Sequence, residues 1–305
     1  MITASVVINA HKPDGALLSR VLAALQAQSL PKSDWELLLL ENRASQQSES
    51  PDLTRHLQSR VLTADERNPE LLLRCAFAEC KSGMLILLDQ NAEPASDYLS
   101  EAVQTGGQWP RLGVWGSGAI DLDFENQPSQ SLGDLASQLA RRNADSPKYS
   151  NVLTCVEAAP PGPGLCIRAN VAAAFCERPA RMLPEANNEF FSLDLAAAEL
   201  SATACTMGLG MGIFPQLKLK RIIPHSTGEK QFLNYRQDES VLRALLNREW
   251  KGITPTDPLS PAALVSAARS ILLEGGVRRR LQIAEFKASI SVRKMLQEAG
   301  REHSR

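Results

Sequence analysis

The chain opens with a β-branched run, Ser5 to Asn9 (SVVIN), that predicts a short buried strand. His11-Lys12-Pro13-Asp14-Gly15 then reads as a turn, and Ala16 to Gln28 carries apolar residues at helical spacing. The alternation repeats. Trp35 to Leu40 (WELLLL) predicts a second strand ending at Glu41-Asn42, Arg60 to Thr63 a short third, and Glu70 to Lys81 a helix. Met84 to Leu88 (MLILL) predicts a fourth strand, ending at Asp89. Strands alternating with helices at this spacing imply a mostly parallel, doubly wound sheet. Such sheets bind ligands outside the carboxyl ends of their strands, where His11, Glu41 and Asp89 fall.

The middle of the chain is less regular. Leu112 to Leu122 (LGVWGSGAIDL) reads as a strand pair punctuated by glycine, and Leu132 to Arg142 as a helix. Ala158 to Gly164 (AAPPGPG) predicts a rigid turn into the strand Leu165-Cys166-Ile167. Asp194 to Met207 reads as a helix ended by Gly208, and Gly208 to Pro224 as a strand with a glycine-rich entry. Beyond Pro224 the pattern turns to amphipathic helix.

Composition narrows the function classes. The 305 residues are 44% hydrophobic and 22% charged, which fits a globular chain and excludes a disordered or collagen-like one. Lys plus Arg number 33 against 34 Asp plus Glu, so no global charge steers the chain toward nucleic acid. Apolar runs are too short to span a bilayer, and Met1 to Asn9 lacks the features of a signal peptide, so a soluble cytoplasmic protein is expected. The six cysteines form no CxxC pair and are expected to be free, buried thiols; the four histidines have no zinc-site spacing. No Gly-x-Ser-x-Gly turn supports a serine nucleophile. Ala10 to Gly15 lacks the Gly-x-Gly-x-x-Gly turn of a dinucleotide oxidoreductase.

Taken in order, several segments resemble the family-2 glycosyltransferases, inverting enzymes of GT-A fold that use nucleotide-diphosphate sugars. SVVINAHKPDGALLSRVLAALQAQSLPKSDWELLLLENRAS resembles the family's nucleotide-binding opening, and Asp89-Gln90-Asn91 falls where the family carries its DxD. LARRNADSPKYSN, PGPGLCIRANVAAAF and TACTMGLGMGIFPQLKLKRIIP are similar to segments of one bacterial subgroup. The resemblance runs through most of residues 4 to 224. It implies a GT-A α/β fold, a mixed, mostly parallel sheet flanked by helices, over residues 1–225. Residues 1–92 would form the nucleotide half and 93–225 the acceptor half, with a helical extension at 226–305.

The implied chemistry is transfer from a nucleotide-sugar, with a uridine donor expected, to a glycan or glycoconjugate in polysaccharide biosynthesis. Such transfer places negative charge on a departing diphosphate, which Mn²⁺ or Mg²⁺ held by carboxylates normally neutralises. The acceptor hydroxyl gives its proton to a carboxylate, assistance worth roughly a hundredfold to ten-thousandfold. Each implied position is altered here. Asn91 stands for the metal-binding Asp, Ala197 for the general base, Arg221 for a metal-linked His and Glu41 for a uracil-contacting Asp. Asp89 and Asn91 would thus make a weakened metal site. Arg221 could grip the diphosphate without metal, because guanidinium binds phosphate bidentately. The rival expectation is an inactive homologue that binds a partner or a glycan.

By the same resemblance Ala10, His11, Glu41, Asp89, Asn91 and Arg221 are the nucleotide-binding candidates, with Lys12 beside the mouth. Glu199, Asp194 and Glu189 are candidate replacement bases, each alternatively an ordinary carboxylate. Trp115 is either a sugar-stacking ring or a core side chain. Gly162 and Gly164 either offer amides to an acceptor or satisfy backbone geometry. From Arg269 onward nine Lys and Arg face four Asp and Glu, so the C-terminal helices either touch a membrane or partner or are simply solvated.

Overall fold

The computed structural model describes residues 2–10, 14–42, 53–64, 69–179, 192–252 and 255–302. The chain divides into two compact units. Among the described residues, the first comprises those up to 125, 140–179 and 192–224, and the second 126–139 and those from 225 to 302.

The first unit is built on a mixed ten-stranded sheet. Its parallel half consists of β1 (Ala4–Ala10), β2 (Trp35–Asn42), β3 (Ser59–Ala64) and β4 (Met84–Asp89), in the order β3-β2-β1-β4. Every residue of β1 and β4 is buried, and their centres, Val6–Ile8 and Met84–Leu88, read as continuous apolar runs rather than alternating ones. The sheet continues through β9 (Leu165–Arg168), β6 (Leu112–Phe124), β10 (Gly210–Ile223) and the short β5 (Ala92–Pro94). Two small strands, β7 (Arg142–Asn143) and β8 (Lys148–Ser150), pair with β6 and β10. The longest ladders, β1 with β2 and β6 with β10, are parallel; β9 runs antiparallel to both its neighbours.

Helices cover both faces. On one, α1 (Gly15–Gln26) and α3 (Tyr98–Gln108) pack Leu18, Val21, Leu22, Leu25 and Leu99 against Val6, Ile8, Leu37 and Leu39. Asp14 starts α1 by accepting hydrogen bonds from the amides of Ala16 and Leu17, a cap worth about 1 kcal/mol. On the other face, α2 (Pro69–Glu79), α5 (Ala169–Cys176) and α6 (Ser192–Thr206) pack Leu72, Phe77, Phe175 and Leu200 against Val7, Leu38 and Leu87. The result is a helix–sheet–helix sandwich with its core on both sides of β1 and β4.

Leu112–Phe124 is one continuous strand, not the expected strand pair. Its glycines permit close approach instead of turning the chain: a Cβ on Gly118 would lie 2.5 Å from the Phe214 carbonyl carbon. Among the cysteines, all six are free but only Cys166 is buried and Cys75 is exposed, because most lie at the margins of the helices rather than in the sheet. The second unit contains α4 (Gln130–Leu139), α7 (Glu229–Lys251), α8 (Pro261–Leu273) and α9 (Gly276–Glu302), with α7 and α9 packed through Val241, Ala288 and Val292. Among the described residues no helix is long and apolar enough to cross a membrane.

Candidate functional site

The parallel register places Asn9, near the end of β1, directly beside Asp89 at the end of β4. Paired residues of a ladder share a face, so Asn9 and Asp89 follow Val7 and Leu87 onto the face covered by α6. There α6 begins at Ser192, whose Oγ accepts a hydrogen bond from Asn9 Nδ2 at 3.3 Å. From the other side β10 clasps the turn after β4. The Ile222 amide donates to the Asn91 carbonyl at 2.8 Å, and Asn91 Nδ2 donates to the Ile222 carbonyl at 3.3 Å. That clasp sets the preceding residue of β10, Arg221, among the carboxylates.

Arg221 is 1% exposed, an unusual place for a guanidinium. Its Nη2 lies 2.9 Å from Asp194 Oδ2, in the first turn of α6, and 3.8 Å from Asp89 Oδ2. The Gly162 amide donates to the other Asp194 oxygen at 3.0 Å. Asp89 Oδ2 and Asn9 Oδ1 are buried and accept no hydrogen bond. One cation therefore stands between two carboxyl groups, and it lies nearer Asp194. Burial pushes the Asp89 carboxyl up to about 8, Arg221 only partly opposing this and the Asp194 charge adding to it. At neutral pH Asp89 is accordingly mostly a neutral acid with a proton to donate.

The loop in front of the site is fixed from below. Tyr98, fully buried, donates its hydroxyl to the Gly164 carbonyl at 2.6 Å and shares a hydrogen bond with Ser117 at 2.8 Å. Gly164 has φ +77°, a left-handed conformation that a side chain would strain. A Cβ on Gly162 would come within 2.3 Å of the Asp194 nitrogen. Only glycine lets residues 160–164 lie against the start of α6.

Of the expected site residues, Asp89, Asn91, Arg221, Asp194 and Gly162 are brought together. The others are not. Ala10 is wholly buried in the core, and its ladder partner Glu41 is buried on the face opposite Asp89, roughly two strand spacings or 10 Å across the sheet. From opposite faces Glu41 and Asp89 reach one ligand only if it lies over the end of β1. His11, Lys12 and Glu189 lie outside the described residues. Trp115 is a core residue, not a stacking platform: it is fully buried, and its Nε1 donates to the Ala102 carbonyl. The amides of Gly162 and Gly164 are spent on Asp194 and the Leu87 carbonyl, so neither is offered to an acceptor.

Arg221 also departs from expectation, because its side chain is turned inward onto two carboxyl groups rather than outward to a phosphate. Helix α6 is already formed at Ala197, whose methyl is buried in the core with Val7 and Leu200. Glu199 is buried roughly 140° around the helix from Asp194, hence on a different side. Sequence reasoning missed Asn9, Ser192 and Tyr98. Asn9 was legible as a polar residue closing an apolar strand; the other two pair with residues far away in sequence and left no local trace.

A divalent ion does not fit these residues. Arg221 already supplies a cation between Asp89 and Asp194, so a divalent ion would have to be held by carboxyl groups that the guanidinium occupies. Among the described residues no three His, Cys, Asp or Glu side chains converge as a metal site.

No protein-family model matches the chain, and no curated protein matches it in sequence. Solved structures do. Residues 1–349 of S. aureus TarS match at a TM-score of 0.51 with 11% identity, over 96% of this chain and 92% of that one. The same protein in complex with UDP-GlcNAc matches at 0.52 and in complex with UDP at 0.51, with the same identity and coverage. The likeness shows that this chain has the GT-A-like fold.

Proposed function

We propose that the chain is a glycosyltransferase of the family-2 kind, which binds a uridine-diphosphate sugar over the carboxyl ends of β1 and β4 and transfers the sugar to a glycan or glycoconjugate without a divalent metal. The observation that carries this reading is the buried Asp89–Arg221–Asp194 group at the carboxyl ends of β1 and β4, between which the strand order reverses and where an α/β sheet binds its ligands. The fold shared with a protein crystallised with UDP-GlcNAc and UDP supports the donor class.

Each residue has a part in this reading. Arg221 is the resident cation. It fixes Asp194, only partly opposes the burial that keeps Asp89 protonated, and lowers the negative potential under the departing diphosphate. Neutral Asp89 keeps a proton for a hydrogen bond to the ligand, its Oδ2 having no hydrogen-bond partner within the protein. Glu41 reads the uracil from the far side of β1. Asp194 is the base: an acceptor hydroxyl gives it a proton as the new bond to the anomeric carbon forms, and the electrons of the breaking C–O bond leave with the diphosphate. Asp194 is preferred over Glu199 because it alone of the two contacts Gly162 at the edge of the loop.

The test is UDP release from UDP-GlcNAc in the presence of glycan acceptors. Asp194→Asn should slow it by at least about a hundredfold. An unchanged rate would remove Asp194 from the chemistry. A second reading, a nucleotide-binding homologue without turnover, is favoured by the burial of Ala197 in the core, where the family's base would stand. Tight UDP binding with no UDP release from any sugar nucleotide would establish it.

A further inference from the structure

In the second unit, α8 carries apolar residues but buries none of them. It is well started, with Pro261 at its first position and the Ser260 Oγ accepting from the Ala263 amide. Its inner side, Ala263, Ala267, Ser270 and Ile271, is only half-buried where the helix packs on α9. Leu264, Ala268 and Leu272 follow one another at four-residue spacing along the outer side, with Val265 beside them. Leu264 is 42% exposed, Val265 69%, Leu272 74% and Leu273 75%. A contiguous exposed apolar face of this kind marks an interaction surface.

The charges around it say what kind. Helix α8 contains no acidic residue, and Arg269 is exposed along it. Only Glu274 and Gly275 separate α8 from α9, whose first turn presents Arg278 and Arg279 to solvent. The tip of the hairpin therefore sets Leu272 and Leu273 next to two exposed arginines. Apolar side chains rimmed by cations match the boundary between acyl chains and anionic headgroups. A second copy of this face would bring three exposed arginines, Arg269, Arg278 and Arg279, against the same three, with one acidic residue at the tip, Glu274, which already lies 4.0 Å from its own Arg278.

We propose that the α8–α9 hairpin lies on an anionic lipid surface, with Leu264, Val265, Leu272 and Leu273 in the interface and Arg269, Arg278 and Arg279 among the headgroups. This would hold the chain beside a membrane without crossing it. The experiment is co-sedimentation of the full chain with vesicles of phosphatidylcholine plus phosphatidylglycerol, against phosphatidylcholine alone. Binding to the anionic vesicles is expected, weakened by raised salt. Leu272→Glu/Leu273→Glu should weaken it at least tenfold, and Arg278→Glu/Arg279→Glu by a similar factor with less salt dependence left. All four side chains are exposed, so both variants should keep the parent melting temperature, which is checked first.

Failure to bind anionic vesicles would overturn the proposal, as would binding that both variants retain. Self-association of the parent that Leu272→Glu/Leu273→Glu abolishes, without vesicle binding, would instead make α8 a protein interface.

Discussion

Replacing Arg221 with methionine removes the one cation seated between Asp89 and Asp194 and keeps a side chain of similar length. At 2.9 Å and an effective dielectric constant of about 20, the attraction to Asp194 is on the order of 6 kcal/mol. Much of it offsets the cost of burying the guanidinium, a cost the variant no longer bears. Removing one partner of a buried pair typically costs about 3–5 kcal/mol, because the remaining charge is left uncompensated. The lower end, about 3 kcal/mol, is expected here: the Gly162 amide still serves Asp194, and the first turn of α6 still offers its positive dipole end. Asp89 adds little, since at neutral pH it is mostly protonated. The assay is urea unfolding at pH 7, followed by circular dichroism, for Arg221→Met, Asp194→Asn and the double variant. The double variant should recover about 2 kcal/mol relative to the sum of the single losses, since it leaves no stranded charge. Mn²⁺ should raise the melting temperature of Arg221→Met, where it can take the place of the guanidinium, and leave the parent protein unmoved. A loss below about 1 kcal/mol for Arg221→Met, or strictly additive losses, would refute the idea that Arg221 is the counter-ion of the site.

Other consequences follow from the same geometry. Because the folded Asp89 carboxyl titrates near 8 and an unfolded one near 4, the folded form holds the proton across that window. The contribution of Asp89 to stability should be full below about pH 4 and be lost as pH rises toward about 8; Asp89→Asn should remove this component of a pH-dependent melt. UDP affinity should weaken over the upper part of the same range, as neutral Asp89 stops donating and begins to repel, and titration calorimetry at pH 7 and pH 9 would detect it. Gly162→Ala forces a Cβ against the backbone of Leu193 and Asp194 and should cost at least about 1–3 kcal/mol in urea unfolding, with loss of UDP release activity. Trp115→Phe should lower stability by about 1–3 kcal/mol yet leave acceptor KM unchanged, since the ring lies in the core; a large rise in KM would return Trp115 to the sugar.

Strand and helix positions were legible along most of the chain because burial on both faces of β1, β2 and β4 writes itself as apolar runs, Val6–Ile8, Leu37–Leu40 and Met84–Leu88, each followed by a polar residue. The merger of Leu112–Phe124 into one strand was not legible. Its glycines look like turn residues and serve close packing, a distinction that depends on Phe214, about a hundred residues away. The site divides in the same way. Asp89 and Asp194 could be named from strand ends and helix starts, and Arg221 from its departure from a family pattern. Which way Arg221 faces depends on the Asn91–Ile222 clasp, a contact between segments 131 positions apart. The depth of Ala197 likewise came from packing, because an alanine reads the same on a core face and on a cleft.

Calorimetric titration of the intact chain with UDP, once in Mn²⁺ and once in EDTA, tests most directly whether this is a nucleotide site with its own built-in cation. The account predicts binding in EDTA, with an affinity that Mn²⁺ improves by less than about tenfold, or about 1.4 kcal/mol. Absence of binding in both, or binding seen only with Mn²⁺, would contradict it.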